Sequence, residues 1–112
     1  MASFERFDVV RVPFPFSDRQ AQKHRPALVL SDKAEFNRPA GHSVMAMITS
    51  AVHSPWPLDV AINAAEAGLS ASSKVRMKLF TLDNRLILHK AGTLSRTDQH
   101  AVSAVVGKLL AT

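Results

Sequence analysis

Short runs of apolar and β-branched residues, separated by polar or proline-containing segments, predict about six β-strands. These runs cover residues 7–13, 26–31, 43–49, 58–62, 73–82 and 85–89. Residues 16–24 are polar and predict a loop, and residues 32–42 predict a turn-rich connection. The alternation over residues 73–82 predicts a half-exposed strand, with Val75, Met77, Leu79 and Thr81 on one face and Lys74, Arg76, Lys78 and Phe80 on the other.

One helix is predicted at the end of the chain, from Ser95 to Leu110. Ser95 is suited to the N-cap position, and Asp98 three residues later fits a capping box. An apolar stripe at helical spacing follows: Val102, Val105, Val106, Leu109 and Leu110. Strands and helices do not alternate along the chain, which argues against a doubly wound parallel sheet. We therefore expect a mainly β fold, a small and strongly bent sheet or barrel with the C-terminal α-helix packed on it, in one domain covering residues 1–112.

Composition narrows the class of partner. The 112 residues carry a formal net charge of +5, which favours an anionic partner such as nucleic acid, an acidic protein or a membrane surface. A basic protein with scattered lysines is the simpler alternative. Because the chain has no cysteine, disulfides, thiolate zinc sites and cysteine nucleophiles are excluded. The N-terminus has no signal-peptide pattern, and no stretch approaches the ~18–20 apolar residues that span a bilayer. We expect a cytoplasmic protein with no membrane partner.

Motifs of several common enzyme classes are missing from the sequence. It has no phosphate-cradling glycine loop, no Gly-x-Ser-x-Gly elbow and no His-Glu-x-x-His pair. Its five histidines lack the spacing of metal ligands. We therefore expect neither a metal site nor another cofactor.

Arg25 stands where a polar loop meets an apolar strand. A guanidinium there could bind phosphate or stabilise an anionic transition state, or it could simply pair with Asp18 or Glu35. Thr49 ends the third predicted strand, and if the second and third strands are neighbours their ends can bring Arg25 and Thr49 together. A hydroxyl beside a guanidinium suits a phosphate oxygen, although Thr49 is also an ordinary strand residue.

Other residues suit contacts with a nucleic acid. The basic stripe of Lys74, Arg76 and Lys78 could follow a phosphate backbone, or it could be a solvated face. Trp56 lies between two prolines and could stack on a base, or it could cover the edge of a core or an oligomer interface. His24 and His53 lie in loops beside the expected site, where a neutral imidazole can carry a proton.

Four segments in order resemble the MazF/PemK toxins of bacterial type II toxin–antitoxin systems: Phe7-Asp-Val-Val-Arg-Val-Pro-Phe-Pro-Phe-Ser-Asp18, Lys23-His-Arg-Pro-Ala-Leu-Val-Leu-Ser31, Met47-Ile-Thr-Ser50 and Val75-Arg-Met-Lys-Leu-Phe-Thr-Leu-Asp83. The segment from Gly92 to Leu110 also fits. The resemblance implies a small SH3-like β-barrel of the CcdB/PemK type, usually a homodimer. It also implies a cognate antitoxin protein with an acidic C-terminal segment.

The same resemblance implies an endoribonuclease that needs no metal and cuts single-stranded RNA at short recognition sequences. The ribose 2′-hydroxyl attacks the neighbouring phosphorus and leaves a 2′,3′-cyclic phosphate and a 5′-hydroxyl. Arg25, Thr49 and Arg76 match the catalytic positions. The residues expected to bind RNA are Arg19, Lys23, His24, His53, Trp56, Lys74 and Lys78.

This sequence departs from the family pattern at two places. Members that use an arginine at the position of Arg76 carry an acidic residue two positions later, where Lys78 stands here. Many members also begin the first strand with Gly-Asp, where this chain has Phe7 and Asp8. Two alternatives stay open. CcdB-like inhibitors of DNA gyrase share the expected fold class, although Arg25 and Thr49 together argue against such an inhibitor. Lys78 in place of an acidic residue leaves room for a barrel that binds RNA or protein without catalysis.

Overall fold

Six antiparallel strands form one curled sheet in the order β4-β5-β3-β2-β1-β6. The structure, a computed structural model, describes residues 3–14 and 23–112, so most of the predicted loop at 16–24 lies outside the described residues. The strands are β1 Asp8–Phe14, β2 Lys23–Val29, β3 His42–Ser50, β4 Val60–Ile62, β5 Ser73–Asp83 and β6 His89–Thr93. The expected mainly β fold with a C-terminal helix is confirmed.

Two helical segments complete the fold. A π-helical stretch, Lys33–Asn37, runs into the short helix α1, Arg38–Ala40, between β2 and β3. Helix α2, Arg96–Leu110, follows β6. No helix in the described part of the chain is long and apolar enough to cross a membrane.

Both faces of the central strands are apolar. Successive residues of a strand point to opposite faces, and each face of the sheet packs into its own hydrophobic cluster. Val9 belongs to the first cluster and Val10 to the second, and both side chains are fully buried. Helix α2 packs on the first cluster through Val102, Val105 and Val106. The predicted apolar stripe of α2 stops there, because Leu109 and Leu110 at its end are 37% and 58% exposed.

An irregularity in β5 reverses the predicted faces of that strand. Ala46 of β3 faces Leu79, whereas the next residue, Met47, faces Arg76, so β5 contains two extra residues at this point. The prediction holds for Val75 and Met77, which are buried. It is wrong beyond the bulge, where Leu79 and Thr81 are exposed and Phe80 packs against the second cluster.

The predicted strand at residues 85–89 is also wrong. Asp83 accepts a hydrogen bond from the backbone N–H of Arg85 (2.9 Å) and caps a 3₁₀ turn, Asn84–Leu86. The turn is anchored by buried Asn84, whose side-chain oxygen accepts from the Ser43 hydroxyl at 2.6 Å. The last strand therefore begins only at His89.

Helix α2 begins where the sequence predicts. The Ser95 side chain accepts a hydrogen bond from the Asp98 N–H (3.2 Å), as expected of an N-cap. The predicted capping box is only half formed, because the Asp98 carboxylate accepts from the backbone N–H of Asn63 at 2.7 Å. Asp98 thereby ties the segment after β4 to the start of α2.

Candidate active site

Strands β2 and β3 separate at the point where Arg25 and Thr49 lie. The two strands pair only from Ala27 to Val29, with Ala27 opposite Met47. In a continued antiparallel register, Arg25 would stand opposite Thr49. The pairing stops before them, and the resulting gap is open to a ligand.

Arg25 belongs to a strand rather than to the end of a loop. The prediction that β2 starts at residue 26 is wrong, because the strand begins at Lys23 and pairs with β1, with Arg25 opposite Val12. Lys23 and His24 are exposed residues of this strand. Pro26 does not interrupt it, since β2 has no described pairing with β3 at that position.

The gap is a cavity of about 220 Å³. It brings together Arg25 and Thr49, as the sequence suggested, and adds His53. The remaining lining residues are Arg11, Pro26, Ile48, Ser50, Leu69, Ser70, Ala71 and Ser73. Thr49 Oγ1 and His53 Nδ1 are hydrogen-bonded at 2.5 Å. The cavity therefore combines two guanidinium groups, several hydroxyls and one imidazole, which suits an anionic ligand whose reaction needs proton transfer.

Among the described residues, the Arg25 guanidinium contacts an aromatic ring and pairs with no carboxylate. Its central carbon lies 4.9 Å from the centroid of the Phe14 ring. Its Nε is buried and has no hydrogen-bond partner among the described residues. The suggested pair with Glu35 does not form, and Asp18 lies outside the described residues. A buried donor without a partner is unfavourable, so the site favours a ligand that supplies an acceptor.

Arg25 also lines a second depression, of about 390 Å³. The lining of this depression is largely apolar but includes two cations: Phe14, Arg25, Met47, Lys78, Leu79 and Phe80. The bulge in β5 brings Leu79 to this depression. No sequence pattern predicts the bulge. Arg25 therefore lines both a polar cavity and an apolar one.

Asp59, which the sequence analysis did not single out, organises the loop between β3 and β4. Its carboxylate accepts hydrogen bonds from Arg76 Nε (3.2 Å) and Nη2 (3.0 Å) and from the Trp56 N–H (3.0 Å). It also forms an ion pair with Lys74 Nζ at 3.3 Å. The hydrogen bonds from Arg76 are the main reason why the pKa of Asp59 is lowered. No local sequence signal reveals this hub, since Arg76 is 17 residues away.

Arg76 and Lys74 brace the same loop. Arg76 Nη2 donates to the Ser54 carbonyl at 2.6 Å, and Lys74 Nζ donates to the His53 carbonyl at 2.7 Å. Their side chains are only 14% and 11% exposed, and neither lines the cavity of Arg25 and Thr49. The structure therefore does not bring Arg76 to the other two predicted catalytic residues, and its contacts are those of a residue that positions the loop.

The remaining predicted RNA-binding residues lie around the two depressions. Trp56 is 41% exposed, with Lys78 Nζ 4.5 Å and the Arg76 guanidinium carbon 5.7 Å from its ring centroid. Lys78 is exposed and lines the apolar depression. Arg19 lies outside the described residues. Within residues 3–14 and 23–112, no group of three His, Asp or Glu side chains could hold a metal ion.

Comparison with known proteins gives one family. The model of the PemK-like, MazF-like toxins of type II toxin–antitoxin systems matches residues 5–110. A comparison with curated protein sequences finds no significant match.

Several solved structures share the fold. MazF from Deinococcus radiodurans is similar with a TM-score of 0.77 and 22% identity, over 100% of both chains. A mycobacterial endoribonuclease in complex with its cognate antitoxin has a TM-score of 0.76 and 19% identity, over 99% of this chain and 96% of that chain. The Mycobacterium tuberculosis toxin MazF-mt6 has a TM-score of 0.69 and 21% identity, over 90% of this chain and 93% of that chain.

Proposed function

The chain belongs to the PemK-like, MazF-like toxins of type II toxin–antitoxin systems, and we propose that it is an endoribonuclease that cleaves single-stranded RNA without a metal ion. The observation that carries this proposal is the cavity between β2 and β3, which Arg25, Thr49 and His53 line together. One solved relative with this fold is named an endoribonuclease.

In the proposed reaction the scissile phosphate binds between Arg25 and Thr49. The RNA 2′-oxygen forms a bond to phosphorus as its proton is removed, and the bond from phosphorus to the 5′-oxygen breaks. The products are a 2′,3′-cyclic phosphate and a 5′-hydroxyl. Because the substrate supplies the nucleophile, the protein needs only to orient the chain, move protons and stabilise the phosphorane.

Arg25 is the residue best suited to stabilise that phosphorane. A guanidinium is protonated at every physiological pH, so Arg25 offers charge and hydrogen-bond donors to the phosphate oxygens. Its Nε, which is buried and has no partner in the described part of the chain, supports an anionic ligand here. In this mechanism Arg25 also donates a proton to the leaving 5′-oxygen, and the Thr49 hydroxyl donates a hydrogen bond to a non-bridging oxygen.

The apolar depression beside Arg25 suits an unstacked base. Its volume of about 390 Å³ falls in the range of roughly 300–1,000 Å³ typical of small-ligand sites. Proteins that bind single strands combine cationic groups with surfaces on which bases stack, and Phe14, Lys78 and the exposed face of Trp56 meet both requirements. We propose that an RNA base enters this depression while its phosphate reaches Arg25.

The proposed function also implies the partners of the protein and the compartment in which it works. We propose that an antitoxin with an acidic C-terminal segment competes with RNA for this basic groove, that the toxin acts as a homodimer, and that it works in the cytoplasm. Solved relatives include MazE–MazF complexes from Deinococcus radiodurans, which supports an antitoxin partner.

The test of this function is incubation of the purified protein with a diverse pool of single-stranded RNA in EDTA, beside the variant Arg25→Ala. We expect cleavage by the wild type, and a rate lowered roughly 10²–10³-fold in the variant, by analogy with loss of one oxyanion-stabilising donor. Circular dichroism would establish that the variant is folded. Undiminished cleavage by Arg25→Ala would refute the assignment, and inhibition of gyrase without RNA cleavage would favour a CcdB-like activity.

A further inference from the structure

The proposed reaction needs a group that removes the 2′-hydroxyl proton, and Lys78 stands where some family members have a carboxylate. No aspartate or glutamate among the described residues lines the cavity of Arg25 and Thr49. The nearby carboxylate of Asp59 is occupied by Arg76 and Lys74, and its lowered pKa makes it a weak base.

His53 is the one side chain lining this cavity, in the described part of the chain, that can accept a proton near neutral pH. Arg11 and Arg25, which face it in the same cavity, stay protonated at all relevant pH values. The serine and threonine hydroxyls of the lining are far too weakly basic. Among the residues that the structure describes, elimination therefore leaves the imidazole.

The position of His53 is fixed from three sides. Its backbone N–H donates to the Ser50 carbonyl at 3.1 Å, which folds the chain back after β3. Its carbonyl accepts from Lys74 Nζ at 2.7 Å. Its ring Nδ1 is hydrogen-bonded to Thr49 Oγ1. Such anchoring of backbone and ring is typical of a catalytic imidazole whose second nitrogen does the chemistry.

The hydrogen bond to Thr49 sets the role of the other ring nitrogen. When Nδ1–H donates to Thr49 Oγ1, the lone pair of Nε2 is free to accept a proton, and no described residue hydrogen-bonds to Nε2. In the same arrangement the Thr49 hydroxyl hydrogen is free to point to a phosphate oxygen. One hydrogen bond thus prepares both residues for the reaction.

We propose that His53 is the general base of this site, an inference that rests on the proposed ribonuclease function. His53 Nε2 takes the proton of the 2′-hydroxyl as the 2′-oxygen bonds to phosphorus. The bond to the 5′-oxygen breaks, and this oxygen takes a proton from Arg25. Transfer of the proton from His53 through water to Arg25 restores both side chains, so no proton is gained or lost over the cycle.

The test uses single-turnover cleavage of an RNA oligonucleotide, cut by the wild type at one site, across pH 5 to 8. For the wild type, log rate rises with unit slope at acid pH and levels off once the base is neutral. His53→Gln is expected to lower the rate roughly 10²–10⁴-fold and to abolish this inflection. Added imidazole is expected to restore part of the activity of His53→Ala.

Two controls separate catalysis from binding and folding. His100→Gln makes the same change at an exposed position of α2 and is expected to keep the wild-type rate and pH profile. Binding of the same oligonucleotide with a 2′-deoxyribose at the cleavage site, which cannot react, is expected to be unchanged in His53→Gln.

Each other outcome overturns the proposal in a different way. If His53→Gln keeps the wild-type rate and inflection, the base is another group. If the variant loses affinity for the 2′-deoxy analogue in proportion to its rate, His53 binds RNA and does not transfer protons. If the wild type itself cleaves no RNA, the proposed function fails. If the wild type cleaves RNA, the rates and pH profiles of the His53 variants test only the role of His53.

Discussion

Under the proposed function, Arg25 serves to bind an anion rather than to hold the fold together. Its Nε is buried without a described partner, and desolvating an unpaired donor costs about 1–3 kcal/mol. Its contact with Phe14 returns only about 0.5–1 kcal/mol at a partly exposed site. The cost of desolvating Nε exceeds the gain from the contact with Phe14. A guanidinium at this position therefore costs a small amount of stability, as is common at functional sites.

Replacing Arg25 with methionine tests this balance. Arg25→Met removes the unpaired donor and keeps an unbranched apolar stem beside Phe14, so we expect an equal or higher melting temperature together with a severe loss of RNA cleavage. Calorimetry and a cleavage assay on the same preparation check it. A melting temperature lowered by many degrees would mean that Arg25 is chiefly a structural residue.

Gly68 has a role that is visible only in the structure. It has a φ of +77°, and a Cβ added there would lie 2.0 Å from the Ala91 carbonyl oxygen. Gly68→Ala is expected to destabilise the protein by about 2–6 kcal/mol, since backbone strain and overpacking of about 1–3 kcal/mol each combine. Gly41 is the matched control, because its φ is +68° but a Cβ there meets nothing within 4 Å. Urea denaturation showing equal losses for the two alanine variants would contradict this account of Gly68.

At the scale of elements, the loop between β3 and β4 is shaped by charge. Asp59 forms ion pairs with Arg76 and Lys74. Arg76 donates a hydrogen bond to the Ser54 carbonyl, and Lys74 donates one to the His53 carbonyl. Two of the three cations predicted to follow a phosphate backbone are therefore engaged within the protein. The loop carries both His53 and Trp56, so this ion-pair cluster connects strand β5 to the site.

Asp59→Asn tests the cluster and has a definite pH dependence. Because the pKa of Asp59 is lowered from 3.8, its stabilising effect is fully present above that value and is lost as the pH falls through the lowered one. We expect the variant to lose about 1–3 kcal/mol of unfolding free energy at pH 7, and this difference from the wild type to shrink as the pH falls below 3.8 through the lowered pKa. Urea denaturation over a series of acid pH values and at pH 7 measures this.

Asp83→Asn is the control for that experiment. Asp83 pairs with Arg85, whose side chain is 70% exposed, so water screens the interaction and we expect a smaller loss. A larger loss in Asp83→Asn than in Asp59→Asn would contradict the assignment of the structural role to Asp59.

The sequence predicted the elements whose pattern is local. Five of the six strands and the start of α2 at Ser95 follow from apolar runs and a capping residue. The placement of Arg25 and Thr49 in the lining of one cavity follows from strand order. The bulge in β5, which exposes Leu79, depends on pairing with β3 and leaves no local pattern. The Asp59 hub joins residues far apart in the chain, and the 3₁₀ turn at Asn84 replaces a strand because a buried side-chain network holds it. These features depend on contacts between distant residues and can be identified only in the tertiary structure.

At the scale of the whole molecule, part of the positive charge is engaged in ion pairs among the described residues. The net charge is +5, yet Asp59 pairs with Lys74 and Arg76. The cations left to face the apolar depression are Arg25 and Lys78. We therefore expect both side chains to contribute to the salt dependence of RNA affinity.

Lys78→Gln tests that expectation. The slope of log affinity against log salt concentration is expected to become less steep by about 0.7, the value for one phosphate contact on a single strand. Lys108→Gln, an exposed lysine at the end of α2, is expected to leave the slope unchanged. Equal effects of the two variants, measured with a 2′-deoxy oligonucleotide, would mean that overall charge and not the groove drives binding.

The most direct test of the central claim is the chemical identity of the RNA ends left after incubation with the wild-type protein in EDTA. We predict 2′,3′-cyclic phosphate and 5′-hydroxyl ends at short recurring sequences, and no cut where the nucleotide before the scissile bond is 2′-deoxy. Ends carrying a 5′-phosphate and a 3′-hydroxyl, or cleavage that survives the 2′-deoxy substitution, would contradict a mechanism in which the RNA supplies the nucleophile.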